Sequence, residues 1–218
     1  MGSRFRGNDE DGLRTLVIET ATAACSVALI EGGRVVAARH EVVGRGHAER
    51  LIPMIAELPD GGRAGAVLVD VGPGSFTGIR VGIAAARGLG LGWGVPVQGY
   101  SSLPLIAAAA FAADPSRDRL AVVLEGGHGE VFMQPFTADP FAATANLVSL
   151  PPAGAVARLD GARPVGNGVR FLGLEGGDML PHATHAVLLP PALTALPPRP
   201  IYGRAPDAKP MAAKDPTA

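Results

Sequence analysis

The chain has 218 residues, 47% of them hydrophobic and only 5% aromatic, so it can bury a sizeable core built mainly from Ala, Val, Leu and Ile. A protein that holds nucleic acid by itself usually shows a basic face, and a formal net charge of -1 does not call for one, so any such contact is expected through a partner. The single cysteine, Cys25, excludes an internal disulfide and a cysteine zinc site and fits a cytoplasmic location, while the most apolar run, Leu103 to Ala113, is too short to span a bilayer.

Residues 1–13 are polar, mixed in charge and without an apolar signal core, and read as a disordered leader. Leu16 to Glu19 is an apolar run ending in an acid. Thr20 to Ala24 is a small-residue turn, and Cys25 to Ile30 is apolar again. The turn signal Glu31-Gly32-Gly33 leads into β-type residues from Arg34 to Val43, which makes a β-meander. Between Gly46 and Leu58 the period changes: Leu51, Met54, Ile55 and Leu58 fall at helical spacing, with Pro53 predicting a kink or a late start. Ala66 to Val71 reads as a strand buried on both faces. A glycine-rich loop follows, then a helix from about Thr77 to Gly92, a short strand at Val95 to Val97 and an Ala-rich helix from Leu103 to Ala113.

A second meander begins at Leu120 to Leu124, turns over Glu125 to Gly129 and returns along Glu130 to Phe136. A short helix is expected at Pro151 to Ala157 and a strand with a turn at Pro164 to Gly168. From Pro190 prolines punctuate an extended tail. This order fits two α/β lobes with mixed sheets: residues 14–113 as an N-terminal lobe and 114–218 as a C-terminal lobe with its tail.

The segment from Gly72 to Gly82 reads GPGSFTGIRVG. Gly72 and Gly74 allow a tight turn around Pro73, Ser75 and Thr77 are good N-caps, and the helix that follows starts with its unpaired N–H groups near the loop, a candidate anion site. The loop is not a Walker loop, since no GK[ST] follows, and Thr77 stands where the third glycine of GxGxxG would be. Gly78, Gly82, Ala86 and Gly90 lie four apart and form one stripe of tiny side chains. Each glycine inside a helix costs about 1 kcal/mol against alanine, so close approach of another backbone must compensate. The stripe serves either packing inside the subunit or a subunit interface, and the interface is the expectation here.

GPGSFTGIRVG is very similar to the signature of the TsaB (YeaZ, glycoprotease-like) family. LVIETATAACSVALIEGG, HAERLIPMI, GVPVQGYSSL and the ending PIYGRAPDAKP also resemble that family in order, over most of residues 15 to 210. The resemblance implies an actin/hexokinase-like (ASKHA) α/β fold of two lobes with mixed sheets, the second lobe reduced. It implies a non-catalytic subunit that binds and activates TsaD, which transfers the threonylcarbamoyl group to adenosine 37 of tRNAs reading ANN codons. TsaE, an ATPase, would join the assembly. A homodimer, ATP or ADP at the complex interface, and tRNA contact only through the complex also follow from the resemblance. The implied partner surface comprises Gly78, Arg80, Gly82, Ala86, His47 and Leu51, next to the loop motif Gly72, Gly74, Ser75, Phe76 and Thr77.

Two departures from the family pattern matter. Glu19 stands where TsaB-like proteins usually carry Asp, the acid that in actin-like ATPases places Mg²⁺ and phosphate. It is the one nucleotide-proximal candidate, although an exposed acid at a strand end is the expected reading. The turn at 125–132 reads EGGHGEVF and lacks the two arginines that often precede GEVY in the family. Other candidates are weak. Leu51 stands four residues after His47 where an HxxxH pair needs histidine, so neither a metal site nor protease chemistry is expected. Cys25 reads as a small core residue, and Ser75 is an N-cap rather than a GxSxG nucleophile. The alternative function is an independent ATPase or kinase of the same fold.

Overall fold

The computed structural model describes residues 12–204. The expected leader therefore lies outside the described residues up to residue 11, and the PIYGRAPDAKP motif lies outside them beyond Arg204.

The first sheet is built from β1 (Thr15–Glu19), β2 (Ala24–Glu31), β3 (Arg34–Val42), β4 (Ala66–Asp70) and β5 (Val97–Tyr100), in the order β3-β2-β1-β4-β5. β1 pairs antiparallel with β2 and β2 with β3, while β4 and β5 run parallel to β1, so β2 alone is reversed. Two left-handed glycines, Gly32 at φ 54° and Gly33 at φ 69°, close the β2–β3 hairpin. Alternation along the strands splits the core into two layers. Leu16, Ile18, Val27, Leu29, Val67 and Val69 face α1 (His47–Ala56) and α2 (Phe76–Trp93). Val17, Ala28, Leu68 and Tyr100 face α3 (Ser102–Ala113). α1 begins at His47 and runs through Pro53, so the late start is not observed. Pro53 sits on the exposed side, where water can take up the carbonyl that its ring leaves without a donor.

The second sheet echoes the first. β6 (Arg119–Gly127) and β7 (Glu130–Thr137) form a hairpin, β10 (Arg163–Val165) runs parallel to β6, and the short β8 (Ala142–Ala143) and β9 (Val148–Leu150) pair with β7. The hairpin turns at His128 (φ 53°) and Gly129 (φ 79°), in the segment expected to turn. Leu120, Val122 and Leu124 face α3, while Ala121, Val123 and Met133 face Ala155 of α4 (Pro152–Ala157). The chain thus has the expected α/β architecture of two lobes with mixed sheets, the second with shorter strands.

Two boundaries differ from the sequence reading. α3, assigned to the N-terminal lobe, is shared: Leu103, Ile106 and Phe111 pack on the second sheet, and Leu105 and Ala108 on the first. It carries no charged side chain, and a helix apolar on every side is stable only when buried on every side. The tail, assigned to the C-terminal lobe, returns to the first. A 3₁₀ turn at Ala183–Leu188 lies over β1, β2, β3 and α3. Leu196 then pairs with Gly99 of edge strand β5, N–H to carbonyl at 2.7 and 3.0 Å, and Ile201 N–H donates to Val71 O at 2.7 Å. The unpaired groups of the sheet edge are what this segment satisfies.

Candidate functional site

Buried carboxyls organise the centre of the molecule. β1 ends in Glu19 and β4 in Asp70, both with no exposed surface. Ala21 N–H donates to Glu19 Oε1 at 2.9 Å, and the Tyr100 hydroxyl donates to Glu19 Oε2 at 3.0 Å. Gly72 N–H donates to Asp70 Oδ1 at 2.7 Å, and the Ser102 hydroxyl to Asp70 Oδ2 at 2.5 Å. Each carboxyl therefore pins the loop that follows its own strand. The expected exposed acid at position 19 is corrected: its longer side chain folds inward, where a hydrogen-bonded group on a sheet face replaces contact with solvent. Burial first, and then the charge of Asp70, hold the Glu19 carboxyl well above its ordinary range. Burial also raises Asp70, while donors from Glu19, Ser102 and Gly72 favour its charged form. Burial thus works against charge on both acids, more strongly on Glu19. The Tyr100 hydroxyl is pushed up by burial and by the two acids, and remains a donor.

The Gly72 loop is shaped by contact with the β1–β2 turn. A Cβ on Gly74 would stand 2.0 Å from Ala21 O, and one on Gly72, at φ 101°, would stand 2.7 Å from Ile201 O. Ser75 N–H donates to Ala21 O at 2.6 Å, and Ser75 Oγ accepts from Gly78 N–H at 3.2 Å as the N-cap of α2, as expected.

The stripe expected to form a partner surface faces inward. Gly78, Gly82, Ala86 and Gly90 are buried against the chain's own first sheet. A Cβ on Gly78 would stand 2.1 Å from Thr20 O, one on Gly82 2.3 Å from Thr20 Oγ1, and one on Gly90 2.3 Å from Val97. Thr20 Oγ1 donates to Gly78 O at 2.8 Å, so the helix is laced onto the sheet where the glycines let it approach. His47 is buried with Nε2 at 3.0 Å from Ala24 O, and Leu51 sits in the core beside Met54. Both residues support α1 from inside. Arg80 is exposed, as are Thr77, Ile52 (51%) and Leu91 (87%) on the outward faces of the same two helices.

Between the lobes lies a cleft of about 880 Å³. One wall is the β1–β2 turn with Gly74, Ser75, Phe76 and Arg80; the other is the β6–β7 hairpin with Phe132 and Asn167. Asn167 Oδ1 accepts from Glu125 N–H at 3.1 Å, and the Glu125 carboxylate is held by Arg170 at 2.5 Å. Tyr202, Gly203 and Arg204 complete the lining. The Arg80 guanidinium lies 3.5 Å over the Phe76 ring and donates to the Tyr202 hydroxyl at 3.1 and 2.9 Å. The two rings stack at 5.5 Å. Among the described residues, Arg45, Arg80 and Arg204 line the cleft against the single acid Glu125, and glycine backbones line both turns. Glu19, immediately behind the first wall, does not line this space. Among the described residues no group of three or more His, Cys, Asp or Glu is placed to hold a metal, and no helix is long and apolar enough to cross a membrane.

Residues 35–147, more than half of the chain, match the family model described as TsaD: tRNA N6-adenosine threonylcarbamoyltransferase. The chain belongs to that family, in its TsaB (YeaZ) group. It is 37% identical over 134 residues to the tRNA threonylcarbamoyladenosine biosynthesis protein TsaB of Escherichia coli K12, covering 58% of this chain and 56% of that protein. The TsaB of Haemophilus influenzae is 39% identical over 116 residues, 51% of this chain and 49% of that one. The chain thus spans about half the length of the curated relatives it matches. In three dimensions it superposes on a Pseudomonas aeruginosa protein described as similar to peptidase YEAZ with a TM-score of 0.72 at 28% identity, covering 88% of this chain and all of that one.

Sequence reasoning located the Gly72 motif and Glu19 but missed Asp70, Tyr100 and Ser102. A signal existed: AVLVD, like LVIE, is an apolar strand whose last residue is an acid before a small-residue loop.

Proposed function

We propose that this chain is a non-catalytic partner subunit that binds and activates TsaD in forming N6-threonylcarbamoyladenosine at position 37 of tRNAs reading ANN codons. Family membership supports the reaction class. The observation that carries the non-catalytic role is the engagement of Glu19: its carboxyl is fully buried and committed to Ala21 N–H and Tyr100, beside Asp70. An acid so engaged holds loops in place and has no free oxygen to offer a phosphate-bound cation in the cleft.

TsaD would dock on the outward faces of α1 and α2, around Ile52, Leu91 and Arg80, since the stripe once assigned that role faces inward. The same faces would serve a homodimer, with TsaE and tRNA joining through TsaD. ATP or ADP at the interface of that complex fits the cleft in size and charge: Arg45, Arg80 and His128 would face its phosphates, and the backbones of Gly74, Gly126 and Gly127 leave room for them.

The test is a mixing experiment on a sizing column with this protein, the TsaD of the same organism, nucleotide and TsaE. Co-elution of the wild type, with loss on Ile52→Glu or Leu91→Glu in folded variants, is expected. No co-elution of the wild type overturns the partner role. Sustained ATP turnover by the chain alone would establish the alternative, an independent ATPase or kinase.

A further inference from the structure

Three of the five histidines of the chain meet on the first sheet, away from the cleft. His40 on β3 and His182 stack with ring centroids 4.4 Å apart and planes 9° apart, and His185 lies 5.6 Å from His182. His182 Nδ1 accepts from Thr184 N–H at 3.2 Å and lies 2.7 Å from Thr184 Oγ1. A ring nitrogen that accepts from a backbone N–H carries no proton, so His182 is neutral in this arrangement. His185 Nδ1 is buried with no hydrogen-bond partner among the described residues, and a proton placed there would meet no acceptor among them.

Among the described residues, no acid packed around the three rings is placed to compensate a positive charge. The 183–188 turn rests on β1, β2, β3 and α3. α3 has no titratable side chain. Glu19 of β1 lies on this face in a row with Ser26 and His40, but its carboxyl is directed to Ala21 and Tyr100, and burial disfavours its charge. Ser26, between them, accepts from Ala183 N–H at 3.1 Å. Cys25 of β2 belongs to the opposite, α1-side core, where Arg39 and Glu41 of β3 pair with Glu57 and Arg50. Glu31 and Arg34 stand at the far end of the β2–β3 hairpin, with Glu31 paired to Arg14.

We infer that the segment 182–189 is a proton-released clasp, held on the first sheet by the neutral imidazoles of His40, His182 and His185 and freed when they take up protons. The chain beyond the clasp pairs Leu196 with β5 and delivers Tyr202, Gly203 and Arg204 to the cleft, so release loosens one part of the cleft lining. This regulation does not depend on the cleft's ligand or on the partner role.

The direction follows from the environment. Burial lowers His182 and His185, and His40, although exposed on β3, is lowered in the same direction; His182, which also feels His40 and His185, falls from 6.5 to about 4. The released state therefore binds more protons than the clasped one between those values. The clasp is complete above pH 6.5 and is lost as pH falls toward 4.

Hydrogen–deuterium exchange on the full chain tests this at about pH 7.5 and about pH 5, corrected for intrinsic rates. Protection of peptides over 182–189 should fall about tenfold or more at the lower pH, while α1 and α2 keep theirs. His182→Phe preserves the stack but cannot be protonated, and the drop should shrink clearly in this variant. Equal wild-type protection at both pH values, an undiminished drop in the variant, or an equal loss in α1 and α2 overturns the inference. If the variant does not fold, NMR titration of the wild-type imidazoles decides: values below the ordinary histidine range for all three support the clasp, and ordinary or raised values overturn it.

Discussion

Tyr100 on β5 reaches across β4 to donate its hydroxyl to Glu19 on β1 at 3.0 Å. The strand it crosses ends in Asp70, which is paired in register with Tyr100 itself, so three side chains from three parallel strands close one polar centre beneath the cleft. Both loops that form the first cleft wall hang from it.

Substitutions in that centre should separate its two acids. Asp70 receives donors from Gly72, Ser102 and Glu19, and Asp70→Asn turns an amide toward them, at an expected cost of about 3 kcal/mol. Glu19→Gln keeps a donor toward Asp70 and gives up one accepted bond, at about 1 kcal/mol. Because the folded value of Glu19 is raised, its contribution is complete below its unfolded value of 4.5 and is lost as pH rises through the folded value. The gap between wild type and Glu19→Gln should therefore narrow with rising pH in urea unfolding.

The α2 glycines should divide by face. Gly78→Ala drives a methyl into the Thr20 carbonyl and should destabilise by about 3 kcal/mol or prevent folding. Gly88→Ala, with nothing within 4 Å of its new Cβ, should stabilise by about 0.5–1 kcal/mol. Chemical denaturation of the pair reads both signs.

The tail should depend on α2. Arg80 holds Tyr202, and Arg87 donates to Pro198 O at 2.7 Å. Arg80→Leu removes the first contact from an exposed site, so global stability should change by less than about 1 kcal/mol. Exchange protection over 198–204 should fall severalfold, visible in the same peptides at constant pH.

Cys25 should be silent in the native protein. Burial pushes its thiol up to about 11, and its side chain lies within the α1-side core. A thiol reagent at about pH 8 should label it only at the rate of unfolding, and fully in denaturant. Rapid native labelling would show that β2 opens.

What the sequence by itself determined was whatever local pattern dictates. Alternation and glycine pairs set the two meanders, Ser75 and Thr77 marked the start of α2 to within two residues, and the order of elements with GPGSFTGIRVG set the family and its α/β architecture. Four-residue spacing showed equally that Gly78, Gly82 and Ala86 share one face of a helix. Spacing along a chain fixes which residues share a face, however, and not what covers that face. Only the tertiary structure decided that Thr20, Ile18 and Val69 of the chain's own sheet cover it. The inward turn of Glu19 has the same origin. Its donors come from residues 21 and 100, and its charged neighbour from residue 70. The three histidines of the clasp come from positions 40, 182 and 185. Contacts between residues far apart in sequence form only once the sheet order β3-β2-β1-β4-β5 is in place, because that order sets which strand ends become neighbours.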